Sequence, residues 1–346
     1  MIATAPGKLI LTGEYAVLDG APALVIAVNR RVVATRRKAP RGSSPFLIAV
    51  ADEIAKRHGA DHPATRAAME IVVDSSAFYA GTQKLGLGSS AAVTVAATAL
   101  ALAADNEVVP VIDRAEVLAI ASAAHARAQG EKGARGSGAD IAASVHGGVI
   151  AFQRTTPDRA AWPIESGRRR SVTAEIAADQ GTVDRLGWPA AVRLIPFFTG
   201  VSADTATLVS AVAAARQRDR VAVDAALVAV EKASRAACQA CSMRSPEIAS
   251  NALIAALALA ANATDQLASA TGIPLVPACV TTARLALGSL GGTAKTTGAG
   301  GGDLGIAVLP ASEDVTVATR LLIESGCHPL HLAVDQTGVD LQANAQ

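Results

Sequence analysis

The stretch Lys84-Leu85-Gly86-Leu87-Gly88-Ser89-Ser90-Ala91-Ala92 runs straight into a helical pattern of small residues. Glycines at such a place let the backbone approach a ligand closely and take dihedrals denied to other residues. The helix that follows turns its unpaired N–H groups and its positive dipole end toward the loop. The chemistry this suits is anion binding by backbone, with a phosphate group as the ligand, and the residues alone equally fit a capped helix start with no ligand. Either hydroxyl of Ser89 and Ser90 is placed to cap the helix, and one of them to reach a Mg²⁺ ion riding on the phosphates. The loop fits neither the Walker pattern nor the dinucleotide fingerprint.

Two further stretches carry titratable groups. Ala5-Pro6-Gly7-Lys8-Leu9-Ile10-Leu11-Thr12-Gly13-Glu14-Tyr15 reads as a strand that opens on a Pro-Gly turn and closes on a carboxylate and a phenol. Lys8 in that apolar strand either snorkels to solvent or meets an anionic ligand or carboxylate, and the residues alone leave both open. Gly136-Ser137-Gly138-Ala139-Asp140 puts a carboxylate at a helix start. Asp140 is then either an ordinary first-turn acid or the group that takes or aligns the proton of an attacking hydroxyl, kept ionised by Lys8. A last stretch, Lys295-Thr-Thr-Gly298-Ala299-Gly300-Gly301-Gly302-Asp303, packs four glycines into five positions, more than a hairpin turn needs. The excess points to a backbone lying close against a substrate or a terminal phosphate.

The elements that must hold these stretches follow from periodicity. Residues 8–13, 22–37 and 70–75 read as strands, and 89–104 and 113–128 as helices. A stretch richer in Pro, Arg, Asp and Gly from Thr155 to Gly187 marks a boundary, which divides the chain into an N-terminal lobe, 1–185, and a C-terminal lobe, 186–346. The second lobe begins with a buried strand at 191–198. Helices follow at 203–216, 220–241, 245–270 and 278–288, then strands at 292–297 and 304–309, a helix at 312–325 and a last strand near 328–334. That order is α+β.

With 346 residues, 51% of them hydrophobic and 18% charged, the chain has material for two packed lobes. A net charge of +1 supplies no global field for nucleic acid or an anionic bilayer. The longest apolar runs, Leu253–Ala263 and Ala91–Ala104, fall short of the ~20 residues of a membrane span. Neither nucleic acid nor a membrane is expected as a partner. The four cysteines are sparse and no signal peptide pattern opens the sequence, which points to a reducing cytoplasm. Cys238 and Cys241 sit at helical spacing with no second metal-ligating pair, so packing is their expected role.

Taken together and in this order, Pro-Gly-Lys-x-x-Leu-x-Gly-Glu at 6–14, Gly-Leu-Gly-Ser-Ser-Ala-Ala at 86–92 and Gly-Ala-Gly-Gly-Gly at 298–302 resemble the three motifs of the GHMP kinases, over residues 5 to about 309. The resemblance implies an N-terminal lobe of the ribosomal-protein-like βαβ kind with a left-handed crossover, a ferredoxin-like C-terminal lobe, and ATP and a small-molecule substrate between them. It implies that Gly86, Leu87, Gly88, Ser89, Ser90 and Ala91 wrap the ATP phosphates, and that Lys8 and Asp140 are the catalytic pair. Glu14, Tyr15, Ser137, Gly138, Gly298, Ala299, Gly300 and Gly301 would face the substrate, with Ser90 and Glu131 as Mg²⁺ ligands.

Gly13-Glu14-Tyr15-Ala16-Val17-Leu18 is similar to the mevalonate branch of the family, in which phosphomevalonate kinases carry Tyr after the Glu and mevalonate kinases usually carry His. The segments around Ala124-His125-x-x-x-Gln129 and Gly302-Asp303 lean the same way. The expected reaction is ATP-dependent phosphorylation of an isoprenoid precursor, 5-phosphomevalonate first and mevalonate next, by a monomer or homodimer. A catalytically silent family member that only binds ligand is the alternative from another class. Gln129 stands where mevalonate kinases have a Mg²⁺-binding Glu, so that ligand moves to Glu131 at best. A phosphorylated acceptor would need extra cations, for which Arg30, Arg31, Arg36, Arg37, Lys38, Lys84 and Arg135 are candidates, although the run from Arg30 to Lys38 equally fits a solvated edge strand whose charges discourage aggregation.

Overall fold

A computed structural model describes residues 1–37, 44–106, 108–130, 136–154 and 181–343. Strand β1 (Ile2–Thr12) turns through a short 3₁₀ segment and returns as β2 (Ala23–Arg36). The run Ala23-Leu24-Val25-Ile26-Ala27-Val28 is buried throughout because both faces of β2 are covered, by helices of its own lobe and by a helix of the second lobe. Helices α1 (Pro45–His58) and α2 (Pro63–Ala68), strand β3 (Ile71–Asp74) and a small hairpin of β4 (Tyr79–Ala80) and β5 (Gln83–Lys84) lead to the glycine loop.

Helix α3 (Ser89–Leu102) follows the loop, then α4 (Arg114–Gly130), α5 (Ala139–His146), β6 (Val149–Gln153) and β7 (Thr182–Leu186). The alanines of α3 have a physical purpose. Ala91, Ala92, Ala96, Ala97 and Ala101 are fully buried, and side chains that short let the helix lie against β1, β2, α4 and α5 at once.

In the first sheet the C-terminal strand β12 (Asp340–Gln342) stands at one edge of the order β12-β1-β2-β6-β7, with β3 also on β2, and each pairing is antiparallel. The second lobe comprises β8 (Val192–Phe198), α6 (Thr205–Arg218), α7 (Arg220–Cys241), α8 (Pro246–Thr271), α9 (Ala278–Gly288), β9 (Thr293–Thr296), β10 (Leu304–Pro310), α10 (Val315–Glu324) and β11 (His328–Pro329). Its sheet runs β11-β8-β10-β9, all antiparallel. Strand, helices, two strands, helix, strand in the spatial order fourth-first-third-second is the ferredoxin-like arrangement that the resemblance implies.

Some sequence expectations shift. The strand expected near 328–334 shortens to two residues, after which the chain leaves the second sheet and crosses to the first lobe as β12 (Asp340–Gln342), paired with β1. The division at 185/186 therefore falls at the end of β7, while the last strand of 186–346 lies in the first sheet. Arg31 explains the return. Its guanidinium donates to Thr4, to Asp335 and, at 2.6 Å, to the Gly338 carbonyl.

Helix α8, at 26 residues, exceeds the apolar run read from sequence and is long and apolar enough to cross a membrane by length and composition. Half of its apolar stretch is buried in the fold, and it packs along α7. Cys238 and Cys241 on α7 are packing residues, with burial pushing their thiols up to about 11 and about 12.

Candidate active site

The residues singled out above meet in one cleft of about 570 Å³ at the junction of the lobes. The first motif supplies Lys8, Glu14 and Tyr15 from β1 and the turn after it. The loop before α3 supplies Gly86, Gly88, Ser89 and Ser90, the start of α5 supplies Ser137 and Asp140, and the turn between β9 and β10 supplies Gly298, Ala299 and Gly300. Leu87 and Ala91 point into the core, Gly138 caps α5, and a side chain at Gly301 would meet Leu208, so these four do not line the cleft. Glu131 lies outside the described residues, as do Lys38 and Arg135. Gln129 lines the wall, but its amide oxygen accepts the Gly136 N–H at 2.7 Å and so closes the loop ahead of α5.

The glycine loop is built as a backbone nest. Gly86 has φ +68° and Gly88, the N-cap of α3, has φ +76°, both left-handed. A Cβ on Gly88 would stand 2.8 Å from Lys8 Cε, and one on Gly86 would stand 2.8 Å from Asp303 Cβ. No side chain caps α3, so the N–H groups of its first turn face the cleft without a side-chain acceptor. β1 passes directly beneath, where Lys8 donates its backbone N–H to the Leu87 carbonyl at 2.9 Å.

Electrostatics tie the set together. Burial draws the Lys8 ammonium below its ordinary value, while Asp140 and then Asp303 push back and Lys84 adds to the fall. Asp303 is raised by burial, against the pull of the Ala203 N–H and of Lys84 and Lys8. Asp140 accepts the Ile141 N–H at 3.1 Å through Oδ1, which leaves a carboxylate oxygen for a ligand.

Ser90 Oγ lies 3.1 Å from His125 Nε2, and the imidazole stacks on Phe46 with centroids 5.3 Å apart. His125 is held below the ordinary imidazole value by burial, with Asp140 opposing and Lys8 reinforcing the shift.

The hairpin motif is sewn to the first motif. Tyr15 donates its hydroxyl to the Ala299 carbonyl at 2.6 Å, Gly298 donates its N–H to Ile10 at 3.2 Å, and Lys295 forms a buried ion pair with Glu14. Tyr15 holds φ +60°, and Asp303 φ +50°, the two left-handed non-glycine residues among those described. Such strain persists only where neighbours over-determine it. At Asp303 the neighbours are a 2.6 Å bond from its N–H to Val201 and a 2.9 Å bond from the Thr199 N–H to its carbonyl.

Sequence reasoning missed the side-chain roles of Asp303, His125 and Lys295, and the Ser202–Ala206 stretch at the start of α6, which forms one wall. A signal existed for His125, which lies one helical turn from Gln129 and so on the same face of α4. The others depend on contacts across some 200 residues of chain. Of the cationic candidates, Lys84 lines the cleft, whereas Arg31 is spent on Thr4, Asp335 and Gly338, and Arg36 on Glu70 and the Ala104 carbonyl.

Hard oxygen donors, Ser90, Asp140 and Asp303, border the nest, and among the described residues no cluster of three His, Cys, Asp or Glu side chains could hold a metal by itself. That fits Mg²⁺ carried on a nucleotide, which takes one or two protein oxygens and fills its shell with phosphate and water.

A family model for the GHMP kinases N terminal domain matches residues 45–148. Over 97% of its length the chain is 30% identical to a phosphomevalonate kinase of Streptomyces sp. strain CL190, of which it covers 97%. It is also 30% identical to a mevalonate kinase of Aeropyrum pernix, over 44% of this chain and 50% of that one. The fold superposes on Streptococcus pneumoniae phosphomevalonate kinase in complex with phosphomevalonate and AMPPNP with a TM-score of 0.74 at 18% identity, covering 96% of this chain and 99% of that one.

Proposed function

This chain belongs to the GHMP kinase family, on its phosphomevalonate kinase branch, and we propose that it transfers the γ-phosphoryl group of ATP to 5-phosphomevalonate. It is a small-molecule kinase of the mevalonate pathway. The observation that carries the reading is the convergence of Lys8 and Asp140 on a left-handed glycine nest at the head of α3, in one cleft with the turn between β9 and β10.

Phosphoryl transfer asks the protein to position the reactants and to neutralise charge, with little covalent chemistry of its own. The N–H groups at the start of α3 cradle the phosphate chain, and glycine at 86 and 88 leaves room for the Asp303 and Lys8 side chains against the loop. Mg²⁺, when bound, neutralises the phosphate oxygens, and Ser90 with Asp140 or Asp303 would hold it. Lys8 stabilises charge on the phosphoryl group in flight, with the Asp140 carboxylate acting on its ammonium. The unengaged oxygen of Asp140 takes or aligns the proton of the acceptor's nucleophilic oxygen.

One observation favours mevalonate as the acceptor instead: among the described residues, Lys8 and Lys84 are the lysine or arginine side chains that line the cleft, and a second phosphate on the acceptor asks for more positive charge. An ADP-release assay over 5-phosphomevalonate, mevalonate, homoserine and galactose decides. The expected result is turnover with 5-phosphomevalonate at a kcat/KM at least ~10²-fold above the others. Preference for mevalonate selects the second reading, and turnover with none of the four defeats both.

A further inference from the structure

Glu14 and Lys295 form the most deeply buried ion pair among the described residues, at 5% and 1% exposure. They belong to different lobes. Glu14 follows β1, and Lys295 lies on β9 of the ferredoxin-like lobe. All three donors of the Lys295 ammonium are used: one on Glu14 Oε1, one on the Leu11 carbonyl at 2.8 Å, and one on the Thr296 carbonyl at 2.6 Å.

The carboxylate is not so satisfied. Glu14 Oε2 is buried with no hydrogen-bond partner, while Glu14 itself lines the wall of the cleft. Leaving an ionised oxygen buried and unpaired is costly, and proteins retain such groups where a ligand supplies the missing donor. A buried pair between lobes is likewise a poor source of stability compared with an apolar pair of similar volume, so its presence asks for another reason.

We propose that Lys295 is a positioning residue for acceptor recognition: reaching from the second lobe, it holds Glu14 ionised and oriented, with Oε2 presented to a hydroxyl of the acceptor. The proposal rests on the acceptor-kinase reading above and extends it to a residue that does not itself line the cleft. Its geometry has a second consequence. Because the ammonium also grips the Leu11 and Thr296 carbonyls, the same contact fixes the end of β1 against the end of β9, the two strands whose following turns meet through Tyr15 and Ala299. Acceptor recognition and lobe docking thus share one ammonium group.

The charged group acting on Glu14 is Lys295 from β9, and Glu14 in turn raises the adjacent Tyr15. Burial raises Glu14 above the ordinary carboxylate range, and Lys295 is what draws it back. Without the ammonium, Glu14 must take up a proton at higher pH. It would then lose its acceptor character at Oε2 or turn that oxygen into a donor.

The test compares native protein, Lys295→Met, Glu14→Gln and Lys295→Met/Glu14→Gln in the full chain, with 5-phosphomevalonate and ATP for turnover and AMPPNP as the probe of nucleotide binding. Lys295→Met should raise the acceptor KM by at least about tenfold at neutral pH, since a charge-assisted hydrogen bond is lost. It should leave kcat at saturating acceptor and AMPPNP affinity within about threefold, the pattern of lost binding that is equal in ground and transition state. Its acceptor KM should fall again as pH rises, with a midpoint displaced upward by at least about one unit from that of native protein.

The double variant, which has no buried charge, should regain thermal stability, keep the raised KM and lose the displaced pH midpoint. Native KM and a native pH profile in Lys295→Met, at whatever stability, overturn the proposal. Should that variant not fold, a double variant whose acceptor KM equals that of native protein overturns it in the same way. Native protein that phosphorylates none of the compounds in the panel strikes at the kinase reading; an active native enzyme with an indifferent Lys295→Met strikes at this inference alone.

Discussion

Asp140 and Lys8 meet because α5 starts beside the strand that carries the lysine: Ser144 on α5 donates its hydroxyl to the Pro6 carbonyl at 2.8 Å and pins the two elements. Asp140→Asn keeps shape and removes the carboxylate proposed as the base, so turnover should fall by at least ~10²-fold while AMPPNP affinity stays within a few-fold; steady-state rates beside a direct binding measurement check it. Lys8→Met should behave likewise. Asp303 gives a stability test with a definite sign. Its carboxyl is raised by burial, so the native state prefers the protonated form, and the fold loses stability as pH rises from the ordinary carboxylate value of about 3.9 through the raised one. Asp303→Asn removes that loss. It should melt higher than native protein at neutral pH, by a margin that fades toward pH of about 4, while Mg²⁺-dependent nucleotide binding weakens. A thermal-melt series across pH, with and without Mg²⁺-AMPPNP, reads both effects, and a margin that grows toward acid would contradict the assignment of the shift to burial.

Among the elements, the junction of the glycine loop with α3 is exposed to a single change. Gly88→Ala sets a methyl 2.8 Å from Lys8 Cε at a φ of +76°. The left-handed backbone costs about 1–2 kcal/mol for a residue with a Cβ. Lys8 must also move, so turnover and nucleotide affinity should both fall by more than the stability loss explains; melting temperature measured alongside AMPPNP binding separates the two. Helices were legible where their periodicity was strong, as in 220–241, which the structure reproduces as Arg220–Cys241. Helix α1 was not, although Ser44 and Pro45 mark its start as N-cap and first-turn residues. The short β11 departs from the expected 328–334 strand because Leu330 donates to Pro196 and the chain then turns toward Arg31 and Asp335, a tertiary attraction with no local signature.

Across the whole molecule the three motifs are bound pairwise: the first to the second through Lys8 and Leu87, the first to the third through Lys295, Tyr15 and Gly298, and the second to the third through Gly86 and Asp303. Between the lobes, Ser234 of α7 adds a 2.8 Å contact to Thr12 and a 2.6 Å bond to the Pro22 carbonyl. A nucleotide seated on the second motif should therefore protect the third as well. Hydrogen exchange with AMPPNP is expected to slow at Gly86–Ser90 and at Gly298–Asp303 together, and protection confined to the first of these would mean that the contact at Gly86 does not couple them.

What the sequence determined by itself was the chemistry available. Glycines before a helix of small residues, a lysine opening an apolar strand, a carboxylate at a helix start and a glycine-rich hairpin are local facts, because backbone freedom, helix dipoles and capping act over a few residues. It also determined the family, since three motifs in order carry far more information than any one. The tertiary structure alone decided that Asp303 stands against Gly86, that Lys295 reaches Glu14, and that Arg31 and Arg36 of β2 serve the fold rather than the cleft. These are pairings across some 40 to 300 residues, and they are settled by which buried charges and unpaired oxygens find one another when the two lobes close, a competition that no local spacing records.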